Sequence, residues 1–136
     1  TMWNGTRELA ERIALGIQLQ DPAVTVKIFN LSKSDFNDVA TEVFRSKAIA
    51  VGSPTVGNGL LHSVSGFLHY LKSLKFKKKK AAAFGCYGWS GESVKILNEM
   101  LADAGFEIIG EGMRQLWNPD DAAKKAAVEL GKTIAK

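Results

Sequence analysis

The sequence predicts an α/β fold in which helices cover both faces of a parallel β-sheet. Strand-like stretches alternate along the chain with amphipathic helical patterns of about ten to fifteen residues, the order that βαβ units produce. Two of those stretches, 48–52 and 81–85, are short and contain only apolar residues and glycine, as strands buried on both faces do. With 136 residues the chain has the length of one domain, which we assign to 1–136.

The first half of the chain predicts a helix, a strand and a second helix. An apolar residue recurs at every third or fourth position over 6–20, with Thr6 as the candidate N-cap. The run 24–29 alternates in hydrophobicity and predicts a strand with one better-buried face. Ser34 or Asp35 is expected to cap the short helix that follows.

The second half predicts three helices with strands between them. Helical spacing of apolar residues covers 60–73 and 92–104, and Gly105 is suited to end the second of these helices. The stretch 106–110 predicts a further strand. Asn118 is the expected cap of a last helix, which runs to about residue 135.

The pattern opens on the helix 6–20, although a βαβ series places a strand ahead of such a helix. We therefore expect an apolar strand to precede Thr1 in the natural protein. Without that strand, 24–29 and 48–52 would each present an unpaired edge, which favours aggregation.

Positive charge is concentrated in one segment of the chain. The formal net charge is 18 − 14 = +4, and six lysines fall close together: Lys72, Lys75, Lys77, Lys78, Lys79 and Lys80. A solvated loop explains such a run, and a docking patch for an acidic partner is the alternative. The rest of the chain carries 12 − 14 = −2, so binding of nucleic acid is not expected.

Composition also argues against several classes of site. One cysteine excludes a disulfide framework and a multi-cysteine metal site, and the two histidines lack a third ligand, so no metal is expected. No catalytic residue stands out, because the loops offer neither a Ser-His-Asp arrangement nor a pair of acid–base carboxylates. The sequence shows no long apolar run and no leader segment, and we expect a cytoplasmic protein that contacts no membrane.

Three loops rich in glycine, hydroxyl and aromatic residues fall at the edge of the predicted sheet where α/β proteins bind ligands. They are 1–6 (TMWNGT), 53–59 (SPTVGNG) and 86–91 (CYGWSG). The first precedes a helix N-terminus and suggests a phosphate site, the alternative being a plain capped helix start. Aromatic residues in the first and third loops favour stacking on a planar cofactor, the alternative being cover for the loop backbone.

Four segments together resemble the flavodoxin-like domain of flavodiiron proteins, also called A-type flavoproteins. They are TMWNGT (1–6), FNLSKSDFNDVATEVFRSK (29–47), VGSPTVGNGLL (51–61) and AAAFGCYGWSGESVKILNEMLADAGFE (81–107). The resemblance extends over essentially the whole chain, and the combination of the three loops is more specific than any one of them.

The resemblance implies a flavodoxin-like three-layer α/β/α sandwich with a parallel sheet of order 2-1-3-4-5, whose first strand is missing from this chain. It implies non-covalently bound FMN and electron transfer from rubredoxin or a rubredoxin-like donor. The electrons would pass to a diiron centre that reduces O₂ or NO in a metallo-β-lactamase-like domain, which this chain does not contain. It also implies a homo-oligomer in the parent protein. This chain alone is therefore expected to lack the terminal activity.

The resemblance further implies which residues contact FMN. The phosphate would lie in the first loop, formed by Thr1, Met2, Trp3, Asn4, Gly5 and Thr6. The second loop would run along the isoalloxazine ring with Pro54, Thr55, Val56, Gly57, Asn58 and Gly59. The third loop would face the other side of the ring with Tyr87, Gly88, Trp89, Ser90 and Gly91.

Two details of the second loop bear on flavin chemistry. Val56 stands where many flavodoxins place an aromatic residue on the flavin, so we expect one stacking face to be aliphatic or to be filled by Trp3 or by a neighbouring chain. Gly57 and Asn58 both tolerate a positive φ, and we expect their peptide to respond to the redox state of the flavin, the alternative being that the glycines only form a tight turn.

Two other functions remain open at this level. One is a stand-alone flavodoxin or an FMN-dependent NAD(P)H:quinone reductase of related fold. The other is a binding module that keeps the scaffold without the flavin. Oxidation of NAD(P)H by the chain would support the reductase, and a colourless protein would support the binding module.

Overall fold

Residues 4–136, the part of the chain that the computed structural model describes, place five helices around a parallel sheet. The helices are α1 (Gly5–Gln20), α2 (Phe36–Arg45), α3 (His62–Ser73), α4 (Glu92–Asp103) and α5 (Asp121–Ala135). The strands are β1 (Ala48–Gly52), β2 (Thr55–Val56), β3 (Gly59–Leu60), β4 (Lys80–Tyr87), β5 (Glu107–Ile108) and β6 (Met113–Leu116).

Strand β4 is the centre of the described sheet. It pairs in parallel with β1 on one side, where Val51 lies opposite Ala83. On its other side it pairs in parallel with β5 and then with β6, which occupy successive stretches of the same edge. The parallel α/β sheet predicted from the sequence is therefore confirmed.

The two short edge strands are separated by a turn that requires glycine. Gly110 and Gly112 have φ values of 63° and 86°, in the left-handed region that side chains disfavour. The sequence predicted one strand over 106–110, and β6 was missed. Its residues, MRQL, alternate between half-buried and exposed positions and include two polar side chains, so no apolar run marks them.

Alternate residues of β4 face two separate cores. Ala81 and Ala83 pack in a cluster with the apolar faces of α2, α3 and α4. Ala82 and Phe84 pack in a second cluster with Leu9 of α1 and with α5. Since a strand sends successive side chains to opposite faces, the sheet has helices on both sides, and the three-layer arrangement is confirmed.

The predicted strand at 24–29 is wrong, because no β-structure forms there. Val24, Ile28 and Phe29 are instead 38%, 54% and 40% exposed. A strand needs the backbone groups of a neighbour, and neither this segment nor the outer edge of β1 has one within residues 4–136. The described sheet therefore corresponds to the last three positions of the implied order 2-1-3-4-5.

Two predicted helix ends are confirmed. The side chain of Asp35 caps α2 by accepting a hydrogen bond from the N–H of Asn37 at 2.8 Å. Gly105 follows the C-cap Ala104 of α4 with φ of 100°, the left-handed conformation that ends helices.

Two other predicted helix ends are wrong. Asn118 does not cap α5, because Asp120 does so by accepting a hydrogen bond from the N–H of Ala123 at 2.8 Å. Thr6 is not the N-cap of α1, because the helix begins one residue earlier and Asn4 occupies the cap position. In both cases the predicted cap lies two residues away from the residue that occupies the cap position, because several polar residues stand close together at the start of the helix.

Helices α1 and α5 approach until their backbones touch. A Cβ atom added to Gly16 would lie 2.0 Å from the carbonyl oxygen of Val128. One added to Gly131 would lie 2.1 Å from the carbonyl oxygen of Ile13. Glycine at both positions therefore sets the distance between these helices and helps to hold α1 against the sheet.

Within residues 4–136, none of the helices has both the length and the apolar character needed to cross a membrane.

Candidate cofactor site

The loops that follow β1, β4 and β6 leave the sheet at the same edge, because the carboxyl ends of parallel strands lie together. The N-terminus of α1 also reaches this edge, where Thr6 contacts Cys86 near the end of β4. Four chain segments thus converge there. Thr1, Met2 and Trp3, which were predicted for the site, lie outside the described residues.

The N-terminus of α1 is buried but has no side-chain cap. Gly5 and Thr6 are both buried, and Asn4 at the cap position has φ of 60° and makes no capping hydrogen bond. The first helical hydrogen bond runs from the N–H of Glu8 to the carbonyl of Asn4. The three preceding N–H groups thus have no acceptor among residues 4–136, whereas a buried helix end normally finds partners for them.

Thr6 and Gly5 tie this helix start to the neighbouring strand. The Oγ1 atom of Thr6 accepts a hydrogen bond from the N–H of Cys86 at 3.4 Å, and a hydroxyl oxygen that accepts one hydrogen bond can also donate another through its own O–H. A Cβ added to Gly5 would lie 3.0 Å from Sγ of Cys86 and 3.2 Å from Oδ1 of Asn118. Glycine at position 5 therefore lets the helix start fit between these two side chains.

The second loop contains a small hairpin that the sequence did not predict. Strands β2 and β3 pair in antiparallel fashion, with Val56 opposite Gly59. The two central residues, Gly57 and Asn58, have φ values of 54° and 60°. Positive φ at both positions is typical of the type I′ turn that closes two-residue hairpins. No atom lies within 4 Å of a Cβ built on Gly57, so the tip of the hairpin is open.

The base of the second loop is anchored by Ser53, a completely buried residue that the sequence analysis did not select. Its hydroxyl accepts a hydrogen bond from the N–H of Leu61 at 3.0 Å and donates to the carbonyl of Pro54 at 2.8 Å. These two bonds close the loop on itself. Only the SPT sequence after an apolar strand hinted at this role.

Two side-chain hydrogen bonds join the second loop to the third loop and to the start of α4. The Oγ1 atom of Thr55 accepts from the N–H of Ser93 at 3.2 Å, in the first turn of α4. The hydroxyl of Ser90 donates to Oδ1 of Asn58 at 3.0 Å. The two loops predicted to enclose the isoalloxazine ring are therefore brought together, with Val56 half exposed at the hairpin.

The third loop begins later than predicted, because Cys86 and Tyr87 belong to β4. The guanidinium of Arg114 lies 5.8 Å from the centroid of the Tyr87 ring, so this ring is engaged by β6. Trp89, by contrast, is 93% exposed. A large indole left almost wholly in solvent is unusual and is typical of a binding surface.

A fourth loop, after β6, completes the edge and was missed by the sequence analysis. Trp117 lies with its ring centroid 6.1 Å from that of Trp89, and Asn118 lies beside Gly5. The segment therefore touches both the first and the third loop. The only sequence signal was an isolated tryptophan ahead of a helix start, and the strand that brings it to this edge was not recognised.

Two ionisable side chains near the edge have unusual surroundings. Burial raises the pKa of the Cys86 thiol, a hydrogen bond with Thr6 lowers it by a smaller amount, and the charge of Glu8 raises it slightly. The thiol is therefore protonated at neutral pH, which fits the role of a small filler. In the first turn of α4, Oε2 of Glu92 is buried without a hydrogen-bond partner among residues 4–136.

The lysine run lies at the opposite edge of the sheet, before and at the start of β4. Lys79 is not a free charge, because its Nζ donates to the carbonyls of Phe44 and Ser46 and lies 5.9 Å from the ring centroid of Phe76. Strand β4 separates the run from the four loops by about 25 Å. A partner docked on the lysines would therefore lie far from the loops.

An open cleft of about 1000 Å³ lies between α4, the β5–β6 edge and the start of α5. The cleft lies where the edge of the sheet is interrupted between β5 and β6. Gly91 is the one loop residue predicted for the site that lines this cleft. This cleft is therefore not the predicted site. Within residues 4–136, no three histidine, cysteine or acidic side chains are grouped so as to hold a metal ion.

Known proteins match the chain in both sequence and fold. The sequence profile of flavodoxins matches residues 1–131. The anaerobic nitric oxide reductase flavorubredoxin of Aliivibrio fischeri is 48% identical over 136 residues, which are 100% of this chain and 27% of that protein. The chain thus spans about a quarter of the length of this curated relative.

Two solved structures show the same fold. Rubredoxin oxygen:oxidoreductase from Desulfovibrio gigas superposes with a TM-score of 0.93 and 34% identity, covering 98% of this chain and 33% of that chain. A flavodoxin from the domain Archaea superposes with a TM-score of 0.86 and 30% identity, covering 97% of this chain and 89% of that chain. This chain is thus similar to most of a flavodoxin and to about one third of a larger oxidoreductase.

Proposed function

Because this chain belongs to the flavodoxin family, whose cofactor is FMN, we propose that the four converging loops hold FMN and that the domain transfers electrons through it. The likeness to the flavodoxin-like domain of flavodiiron proteins, stated from the sequence, is confirmed by the relatives in sequence and fold. FMN supplies one- and two-electron chemistry when bound, and the protein contributes binding, orientation and electrostatics.

The main support for this proposal is the start of α1, which is buried and has no side-chain cap. Its N–H groups, which have no acceptor among residues 4–136, and the positive end of the helix dipole suit a doubly charged phosphate, and the O–H of Thr6 adds one more donor. No lysine or arginine is needed at this point, because neutral donors and the dipole supply the attraction. Asn4, Gly5 and Thr6 would therefore hold the phosphate, together with Thr1, Met2 and Trp3.

The second and third loops would enclose the isoalloxazine ring. Pro54, Val56, Gly57, Asn58 and Gly59 would lie along one side, and Tyr87, Gly88, Trp89, Ser90 and Gly91 would lie along the other. Thr55 would act less on the ring than on the loops, because its side-chain oxygen is already bonded to the N–H of Ser93. The open hairpin tip and the exposed indole of Trp89 support this placement.

The donor and the acceptor of the electrons lie outside this chain. The relatives carry the names flavorubredoxin and rubredoxin oxygen:oxidoreductase, and this supports a rubredoxin-type donor. The acceptor we propose is a diiron centre that reduces NO or O₂ in a metallo-β-lactamase-like domain of the parent protein. We further propose that the parent is a cytoplasmic homo-oligomer in which the flavin of one subunit faces the diiron centre of another.

Titration of the protein with FMN and with riboflavin tests the proposal directly. Riboflavin has the same ring system but lacks the phosphate, so the difference in affinity reports the phosphate site alone. Quenching of flavin fluorescence measures both dissociation constants. We expect FMN to bind at least tenfold more tightly, since a charged hydrogen bond contributes about 1.5–3 kcal/mol. Equal affinities would contradict the placement of the phosphate at α1.

A stand-alone flavodoxin is the second candidate, because this chain covers 89% of the length of the archaeal flavodoxin. Such a protein would carry electrons between separate enzymes instead of feeding a linked diiron domain. The mass of the natural protein distinguishes the two, since a flavodiiron subunit is several times longer than this chain. Absence of NAD(P)H oxidation by the FMN-loaded chain would exclude the quinone reductase.

A further inference from the structure

We propose that Trp117 is a positioning residue for the flavin: its ring holds the indole of Trp89 in the orientation that stacks on the isoalloxazine ring. The inference rests on the proposed function, because it assumes that FMN binds at the four loops. It adds a residue of the fourth loop that neither the sequence patterns nor the implied set of FMN contacts included.

The backbone of Trp117 is strained. Its φ of 57° lies in the left-handed region, where a bulky side chain is a rare outlier. The side chain is 60% exposed, so burial of the indole does not compensate for the strain. Strain that persists at an exposed residue beside a loop cluster is typical of ligand sites.

Two contacts maintain this conformation. The N–H of Trp117 donates to the carbonyl of Tyr87 at 2.8 Å, extending the pairing of β4 with β6 by one residue. The ring then lies over Gly88, where an added Cβ would be 3.2 Å from Cζ3 of the indole. Any larger residue at position 88 would press on this ring. Gly88 thus leaves room for Trp117, beyond any role in contacting the flavin.

The ring of Trp117 is the aromatic neighbour of Trp89. The two rings meet in an edge-to-face arrangement with an interplanar angle of 62° and a centroid separation of 6.1 Å. This geometry is favourable for aromatic pairs. Since Trp89 is 93% exposed, its ring remains available to a planar ligand while Trp117 limits its rotation. An indole already held in place loses less rotational freedom when the flavin binds.

The alternative is that Trp117 only covers the backbone of the third loop, and one substitution separates the two roles. Trp117→Gly removes the ring and also relieves the left-handed strain, because glycine adopts positive φ freely. If Trp117 is a positioning residue, this variant has an apo-protein at least as stable as the parent but binds FMN more weakly. A covering role would instead make the apo-protein less stable.

The experiment compares the parent with Trp117→Gly, Trp117→Phe and Leu116→Ala. Leu116 is a matched control, since it is 46% exposed and lies next in the chain but makes no aromatic contact with Trp89. Three quantities are measured: the dissociation constant for FMN, the circular dichroism of the flavin absorption bands, and the thermal unfolding midpoint of the apo-protein.

We expect Trp117→Gly to weaken FMN binding about three- to tenfold and to change the flavin dichroism, without lowering the apo unfolding midpoint. Trp117→Phe should restore most of the affinity, and Leu116→Ala should match the parent. The inference is overturned if Trp117→Gly binds FMN as the parent does, or if it loses affinity only because the apo-protein unfolds. Failure of the parent itself to bind FMN would overturn the proposed function instead.

Discussion

The side-chain oxygen of Thr6 accepts a hydrogen bond from the backbone N–H of Cys86 at 3.4 Å, joining two residues 80 positions apart in the chain. This contact brings the start of α1 against the end of β4. It also orients the hydroxyl, because an oxygen that accepts from one side can donate on another. The same contact thus positions the helix and prepares a donor for an anionic ligand.

Replacement of Thr6 by valine keeps the shape of the side chain and removes the hydroxyl. We expect FMN affinity to fall by about tenfold or more, since a hydrogen bond to a charged group contributes roughly 1.5–3 kcal/mol. The N–H of Cys86 also loses its partner, which should lower the unfolding free energy by about 1–3 kcal/mol. Riboflavin binding serves as the control, and an equal loss for both flavins would show that the hydroxyl does not contact the phosphate.

Replacement of Gly57 by alanine tests the hairpin tip. The added methyl group meets no atom within 4 Å, so any effect arises from the φ of 54°. We expect the unfolding free energy to fall by about 1 kcal/mol and the midpoint potentials of bound FMN to shift, because the peptide is less free to reorient. Potentiometric titration of the loaded protein measures the second effect. Gly59→Ala, at a position without positive φ, is the control, and potentials equal in both variants would contradict a role for this peptide.

Replacement of Gly16 by alanine tests the contact between α1 and α5. The new Cβ would lie 2.0 Å from the carbonyl oxygen of Val128, so the helices must separate. We expect a loss of about 1–3 kcal/mol in unfolding free energy, measured by urea denaturation. Gly66→Ala in α3 is the matched control, because its Cβ would lie 3.6 Å from the Phe36 ring. That variant should gain roughly 0.5–1 kcal/mol from lower backbone entropy of the unfolded chain, and destabilisation of both variants alike would contradict the close contact.

Replacement of lysines by methionine separates structural from solvated members of the lysine run. Lys79→Met removes the hydrogen bonds to the carbonyls of Phe44 and Ser46 at the end of α2. We expect it to lower the unfolding free energy by about 1–2 kcal/mol. Lys77→Met, at an exposed position, should leave the unfolding free energy unchanged within about 0.5 kcal/mol. Thermal unfolding of both variants measures the difference. Equal unfolding midpoints would show that Lys79 is a solvated charge like Lys77 and does not stabilise the fold.

Strong periodic signals allowed most of the fold to be predicted. Helices such as α3 and α4 carry apolar residues at helical spacing, and β4 contains the buried apolar run 81–84, so each of these segments has one consistent structure. The segment 24–29 has an equally clear alternating pattern but pairs with no strand among residues 4–136. Alternation indicates which side chains could share a face, whereas a strand also requires a neighbour that supplies hydrogen bonds.

The candidate site was predicted only in part, for a related reason. Glycine, hydroxyl and aromatic residues marked the first three loops within the sequence itself. Trp117 and Asn118 reach the same edge only because β6 pairs with β4, and β6 is too polar to be recognised as a strand. A residue brought to a site by an inconspicuous edge strand leaves no local pattern from which its position can be predicted.

No strand within residues 4–136 covers the outer edge of β1, so the N–H groups near this edge fall into two groups. The N–H of Ser53 donates to the carbonyl of Phe84 at 3.1 Å, and alternation along the ladder points the N–H of Val51 toward β4 as well. The N–H groups of Ala50 and Gly52 consequently face away from β4. Deuterium uptake along β1 should therefore alternate residue by residue, fast at 50 and 52 and slow at 51 and 53. A strand bound along this edge would abolish the alternation, so the exchange pattern of these four amides reports whether the sheet continues beyond β1.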